Sequence, residues 1–146
     1  MPRLDAERVA LFRSLGVATN ALLRRVDADL MDELQLPLSW FDVMTALQRG
    51  GGSLRVSELR DVLDEIPSSL SRRLDRMEEE GWVGRKATPT PEDRRAVTVS
   101  LSKRGRVLWR EANVLYRRSV QQHFAKDLSA TDIAALQRVI GKVSPS

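Results

Sequence analysis

Between residues 66 and 102 the hydrophobic period changes, and few folds accept that change where it falls. Leu70, Leu74 and Met77 are spaced four and three apart, which puts them on one face of a helix. Gly81 suits the left-handed conformation that stops such a helix. Beyond it, Val97, Val99 and Leu101 alternate with Thr98 and Ser100, the pattern of a strand with one buried face. Trp82-Val83-Gly84-Arg85-Lys86 has strand composition as well. The nine residues between the strands, Ala-Thr-Pro-Thr-Pro-Glu-Asp-Arg-Arg, are too many for a tight turn and too proline-rich for regular structure. The stretch predicts a polar-faced helix followed by a hairpin with a long charged tip.

The helix shows unusual groups to water. Ser68, Ser69, Arg72, Arg73 and Arg76 fall off the apolar face, and hydroxyl and guanidinium groups suit phosphates and base edges. Upstream, Ser57 is placed to cap a short helix over residues 58–63, and Asp64-Glu65-Ile66 reads as a turn. Pro67 suits the first position of the next helix. Helix, turn, helix and hairpin together have the layout of a winged helix-turn-helix, whose second helix enters the major groove. An ordinary surface helix beside a solvated hairpin is the competing reading.

Several short runs resemble the MarR family of bacterial transcriptional regulators. They are Ser57-Glu58-Leu59, then Arg76-Met77-Glu78-Glu79-Glu80-Gly81-Trp82-Val83-Gly84-Arg85, Asp93-Arg94-Arg95, and Leu101-Ser102-Lys103-Arg104-Gly105. The family pattern is a helix ending Leu-Glu-x-x-Gly-Leu-Val-x-Arg, then Asp-x-Arg in the wing, then Leu-Thr-x-x-Gly opening the next helix. Met77, Trp82 and Ser102 are mild departures from it, and Ser102 still caps a helix. The resemblance implies a mainly α-helical chain with a small β-wing, a homodimer, and a pseudo-palindromic DNA site with half-sites about one helical turn apart. It implies one domain over 1–146, with a DNA-binding lobe at 36–101 and dimerisation helices at 1–35 and 102–146. In that frame Ser68, Ser69, Ser71, Arg72, Arg73 and Arg76 contact bases or phosphates. Arg95 enters the minor groove, its guanidinium oriented by a charge-assisted hydrogen bond donated to Asp93, and Arg94 is a second phosphate contact. The resemblance further implies repression relieved by a small aromatic effector, with Phe12, Trp40 and Trp109 as candidate lining.

The flanking segments supply the arms. Phe12, Leu15, Thr19, Leu22, Val26 and Leu30 recur at helical steps over Asp5 to about Leu34, and Leu11, Ala18 and Leu23 widen the stripe beyond one partner's needs. Pro37 interrupts, Ser39 is a good N-cap for a helix over residues 40–49, and Gly50-Gly51-Gly52 ends it. No Gly-Lys-Ser/Thr follows these glycines, so they read as a turn rather than a phosphate cradle. Ser53-Leu54-Arg55 suits a third short strand at the base of the wing. Ser102 opens a helix to about Ala125 whose apolar side includes Val107, Leu108, Ala112, Leu115, Tyr116, Val120 and Phe124. Its first turn carries Lys103, Arg104 and Arg106, unfavourable at a positive helix end and explained either by nearby phosphates or by solvation alone. In the last helix Ile133, Leu136, Ile140 and Val143 form a narrow seam. That seam either folds back on its own chain or, with Leu11 and Leu15, meets a second copy.

Composition removes other classes. The 146 residues make one domain's worth of chain. There are no cysteines and one histidine, so disulfides, thiol sensing and a cysteine or histidine metal site are not expected, and neither is a cofactor. His123 has no evident Ser/Asp company and the acids look like helix and turn residues, so no enzyme is expected. No apolar run is long enough to span a bilayer and the start lacks a signal-peptide core, which predicts a cytoplasmic protein. The formal charge is +4 overall: −1 over residues 1–50, −1 over 51–100 and +6 over 101–146. The DNA-reading segment is therefore not basic as a whole; its arginines are merely sorted from its acids. Two other classes fit the same fold: a winged-helix module for protein partners, and a small-molecule-binding protein without a DNA target.

Overall fold

Two long helical arms flank a small lobe that holds nearly all of the core. The computed structural model describes residues 5–145; Met1–Leu4 and Ser146 lie outside the described residues. The elements in order are α1 (Ala6–Leu34), α2 (Leu38–Arg49), β1 (Ser53–Arg55), α3 (Val56–Leu63), α4 (Pro67–Glu79), β2 (Val83–Ala87), β3 (Val97–Leu101), α5 (Lys103–Val120) and α6 (Ala130–Val143). A π-helical turn, Gln121–Ala125, continues α5. No helix among the described residues is long and apolar enough to cross a membrane.

The lobe follows from the apolar spacing. Leu70, Leu74 and Met77 of α4 are buried, together with Phe41, Val43, Met44 and Leu47 of α2, Leu59 of α3 and Val99 of β3. The three strands form an antiparallel sheet in the order β1-β3-β2, with Leu54 opposite Val99 and Arg85 opposite Val99 on the other side. Gly81 has φ +85°, so it ends α4 as its lack of a Cβ permits. Asp64 sits in the left-handed region at φ 52°, making the turn that aims α4 away from α3.

Two helix starts differ from the sequence reading. Helix α2 begins at Leu38, not after Ser39, because the Asp27 carboxylate of α1 accepts the Leu38 N–H at 2.8 Å and does the capping from another helix. Helix α3 begins at Val56, not after Ser57, because Glu58 reaches back to accept the Arg55 N–H at 3.1 Å. A carboxylate replaced the expected hydroxyl in both places.

The arms have little packing of their own. Only the last part of α1 enters the core, through Val26 and Leu30, and every residue from Ala6 to Asn20 is exposed. Helix α6 makes no extensive contact with another element of its chain. Leu11, Leu15 and Ile140 are therefore open to solvent, while Ile133 and Leu136 are half-buried. Val107 and Phe124, read as apolar packing of α5, also face outward.

Candidate nucleic-acid interface

The arginines of the lobe fall into two groups. Among the described residues no carboxylate pairs with Arg72, Arg76, Arg94 or Arg95, and all four are exposed. Arg73 and Arg85 are engaged. Arg85 on β2 pairs with Asp75 and Glu78 of α4, and its backbone N–H donates to Glu78 at 2.8 Å. Arg73 forks onto Glu65, with Nη1 to Oε1 at 2.9 Å and Nη2 to Oε2 at 2.7 Å. The expectation that Arg73 contacts DNA therefore meets a guanidinium that is already paired. Its side chain is only 12% exposed, because it flanks the buried stripe and its fork is already filled. The carboxyl of nearby Asp42 is raised above the ordinary aspartate range by partial desolvation; Arg73 opposes that shift and Glu65 adds to it.

The N-terminal part of α4 presents Ser68, Ser69, Arg72 and Arg76 around a cavity of about 390 Å³ that Ser39, Trp40 and Ile66 complete. Serine and arginine side chains facing one concavity offer hydroxyl donors and acceptors beside planar cations, a set that matches phosphate oxygens and guanine edges. A second groove is lined by Ser57 and Arg60 of α3, Ser71 of α4, and Asp93, Arg95 and Ala96 of the wing. Residues 24 positions apart, Ser71 and Arg95, thus border one surface.

The wing tip is shaped by local hydrogen bonds. The Thr90 and Asp93 backbones exchange N–H···O bonds, and the Thr90 hydroxyl accepts from the Asp93 N–H at 2.9 Å. Asp93 does not orient the Arg95 guanidinium as expected. Its Oδ1 accepts the Arg95 backbone N–H at 2.9 Å, the nearest donor for a short acidic side chain two residues earlier. Asp93 therefore fixes the chain direction at Arg95 and leaves the guanidinium exposed.

The three aromatics proposed for an effector do not share a site. Trp40 lines the cavity beside α4, which neither Phe12 nor Trp109 reaches. Phe12 is 77% exposed on α1, and Trp109 donates from Nε1 to the Thr45 hydroxyl at 3.0 Å against the core. His123, in contrast, has company the sequence did not reveal. The buried Ser119 hydroxyl donates to Asp29 Oδ2 at 2.6 Å, and His123 Nε2 lies 2.9 Å from the same oxygen. Both groups meet the carboxylate and neither meets the other, so the serine is not activated by the histidine. The cluster ties α1 to the end of α5. Among the described residues no cluster of metal-ligating side chains occurs.

Comparison with known proteins gives one answer. The MarR family model matches residues 34–96. The multiple antibiotic resistance protein MarR of Escherichia coli is 30% identical over 117 residues, covering 80% of this chain and 79% of that protein. Among solved structures, the MarR family transcriptional regulator Sco3205 of Streptomyces coelicolor, in complex with DNA, superposes with TM-score 0.87 at 26% identity, covering 100% of this chain and 94% of that one. A mutant E. coli MarR complexed with operator DNA gives TM-score 0.82 at 28% identity, covering 99% of this chain and all of that one.

Proposed function

This chain belongs to the MarR family, and from that premise we propose that it is a homodimeric, sequence-specific DNA-binding transcriptional regulator, acting as a repressor. The observation that carries the reading is the sorting of the arginines: Arg72, Arg76, Arg94 and Arg95 are left unpaired on α4 and the wing while their neighbours are neutralised. Helix α4 enters the major groove, with Ser68, Ser69, Arg72 and Arg76 toward the duplex and Ser71 at the wing side. A bidentate arginine–guanine pair contributes about 1–3 kcal/mol of discrimination. The wing lays Arg95 in the minor groove and Arg94 along the backbone.

A single lobe presents one recognition helix, so a pseudo-palindrome needs two copies. The exposed seams of α1 and α6, with Leu11, Leu15 and Ile140 open to solvent, supply the self-complementary surface. Ile133 and Leu136 extend it. The cavity bordered by Trp40 and the start of α4 is where a small aromatic effector would act on DNA binding, provided it prefers one arrangement of α4.

Fluorescence anisotropy on DNA flanking the chain's own gene, beside a scrambled duplex and across a salt series, tests the proposal. Preferential binding with a steep negative salt slope is the expected result. Equal and weak binding to both duplexes would refute a regulator of that site and favour a protein or small-molecule partner.

A further inference from the structure

Helix α4 is clasped at both ends by arginine, and the two clasps differ. At its C-terminal half Arg85 reaches in from β2 to Asp75 and Glu78. At its N-terminal half the arginine belongs to α4 itself: Arg73 forks onto Glu65 in the turn before the helix and points Nη1 at the Ser39 carbonyl of α2, 3.4 Å away. One planar cation therefore joins the helix, its preceding turn and the start of α2. Leu70, Leu74 and Met77 make a narrow buried stripe, and a cylinder held by one stripe can still roll about it. Arg73 also borders the cavity that Arg72 and Arg76 line.

We propose that Arg73 is a positioning residue for operator recognition: its bidentate pair with Glu65 fixes the roll of α4 in the major groove, and it makes no contact with DNA. The inference rests on the DNA-binding reading above. It separates two roles that a shared run of arginines conceals. Arg72 and Arg76 read; Arg73 holds. Lysine would not replace it, since a single ammonium cannot fill both Glu65 oxygens and face the Ser39 carbonyl together.

The variants Glu65→Gln, Arg73→Met and the double variant test this by anisotropy on the operator and a scrambled duplex across a salt series. Each single variant is expected to weaken operator binding by roughly tenfold, the scale of one lost specific contact, with little change on the scrambled duplex. The double variant is expected to be no worse than either single one, because both break the same pair. The salt slope stays at the wild-type value for Arg73→Met. Direct contact of Arg73 with a phosphate predicts the reverse: a slope smaller by about one, and tighter binding for Glu65→Gln, which frees the cation and removes a negative charge. Either result overturns the proposal. Arg73→Lys should behave like Arg73→Met, and full rescue by lysine would also overturn it. A wild-type protein that ignores sequence would instead defeat the regulator reading. Amide hydrogen exchange in residues 67–73 of DNA-free protein then still tests the clasp, which is overturned if Glu65→Gln leaves protection unchanged.

Discussion

Replacing Gly105 with alanine should loosen the joint between lobe and arm. Gly105 is buried in the first turn of α5, and a Cβ built there lies 2.1 Å from the Trp82 carbonyl oxygen and 3.2 Å from the Ser102 hydroxyl oxygen. A carbon and a carbonyl oxygen rest no closer than about 3.3 Å, so α5 must withdraw by roughly 1.2 Å. The obstacle is backbone, which cannot swing aside. Withdrawal strains three bonds at once: the Ser102 N–H to the Trp82 carbonyl at 3.1 Å, the Ser102 hydroxyl to the Gly81 carbonyl at 2.7 Å, and the Gly105 N–H to the Ser102 hydroxyl at 2.9 Å. Overpacking costs about 1–3 kcal/mol and a lost N-cap about 1 kcal/mol. Alanine's better helix propensity returns about 1 kcal/mol, leaving a net loss of about 1–3 kcal/mol. For a domain of this size that is a fall in Tm of roughly 2–12 °C, read by circular dichroism at fixed protomer concentration. Gly84→Ala is the control, since nothing lies within 4 Å of a Cβ there. A Gly105→Ala protein as stable as wild type, or more stable as propensity alone would make it, refutes the close approach.

Arg95→Ala should lower operator affinity by roughly tenfold and reduce the salt slope by about one in anisotropy titrations; an unchanged slope would take the wing out of the interface. Ile140→Glu places a charge on the exposed seam of α6 and should shift the sedimentation coefficient toward that of a monomer, whereas an unchanged oligomer would place the contact elsewhere. The Asp29 carboxyl is held below the ordinary aspartate range, chiefly by the Ser119 hydroxyl and then by His123. A lowered acid stabilises the fold above the ordinary aspartate pKa of about 3.8, and that stability drains away as pH falls through the folded value. Ser119→Ala should therefore flatten the fall in Tm below about pH 4 while also lowering Tm at neutral pH; an acid limb of unchanged steepness would show that Asp29 does not carry it.

What the chain reveals by inspection is what neighbours in sequence decide. The α4 stripe, the stop at Gly81, the proline opening at Pro67 and the alternation in β3 are local, and each stands where the residues say. The burial of Arg73 was within reach too. At about 100° per residue it lies three residues after Leu70 and four before Met77, on the flank of the buried stripe, while Arg72 and Arg76 lie roughly opposite. Amphipathic position, not residue type, distinguishes the paired arginine from the two exposed ones. The Asp29–Ser119–His123 cluster joins residues 90 and 94 positions apart, and nothing local predicts it. The shifted start of α2 has the same origin, since Asp27 caps it from eleven residues away; the start of α3 is set locally, by Glu58 three residues past Arg55, where the Ser57 hydroxyl was misleading.

The basic first turn of α5 shows packing at work where charge alone leaves a question open. Cations at a positive helix end cost about 0.3–1 kcal/mol each, and the sequence offered phosphates or plain solvation as the compensation. The structure supplies a third. The Arg104 guanidinium stands 4.8 Å over the Trp82 ring, a cation–π contact of about 0.5–1 kcal/mol, and its Nη1 covers Gly81 at the close of α4. The Arg106 guanidinium covers Gly52, whose φ of +105° makes the turn into β1. Both glycines leave the room that a guanidinium fills. The arm thus begins on the two turns that end α2 and α4, and the Ser102 hydroxyl bonds the Gly81 carbonyl between them. Any rotation of α5 must therefore move the end of α4 or break these contacts.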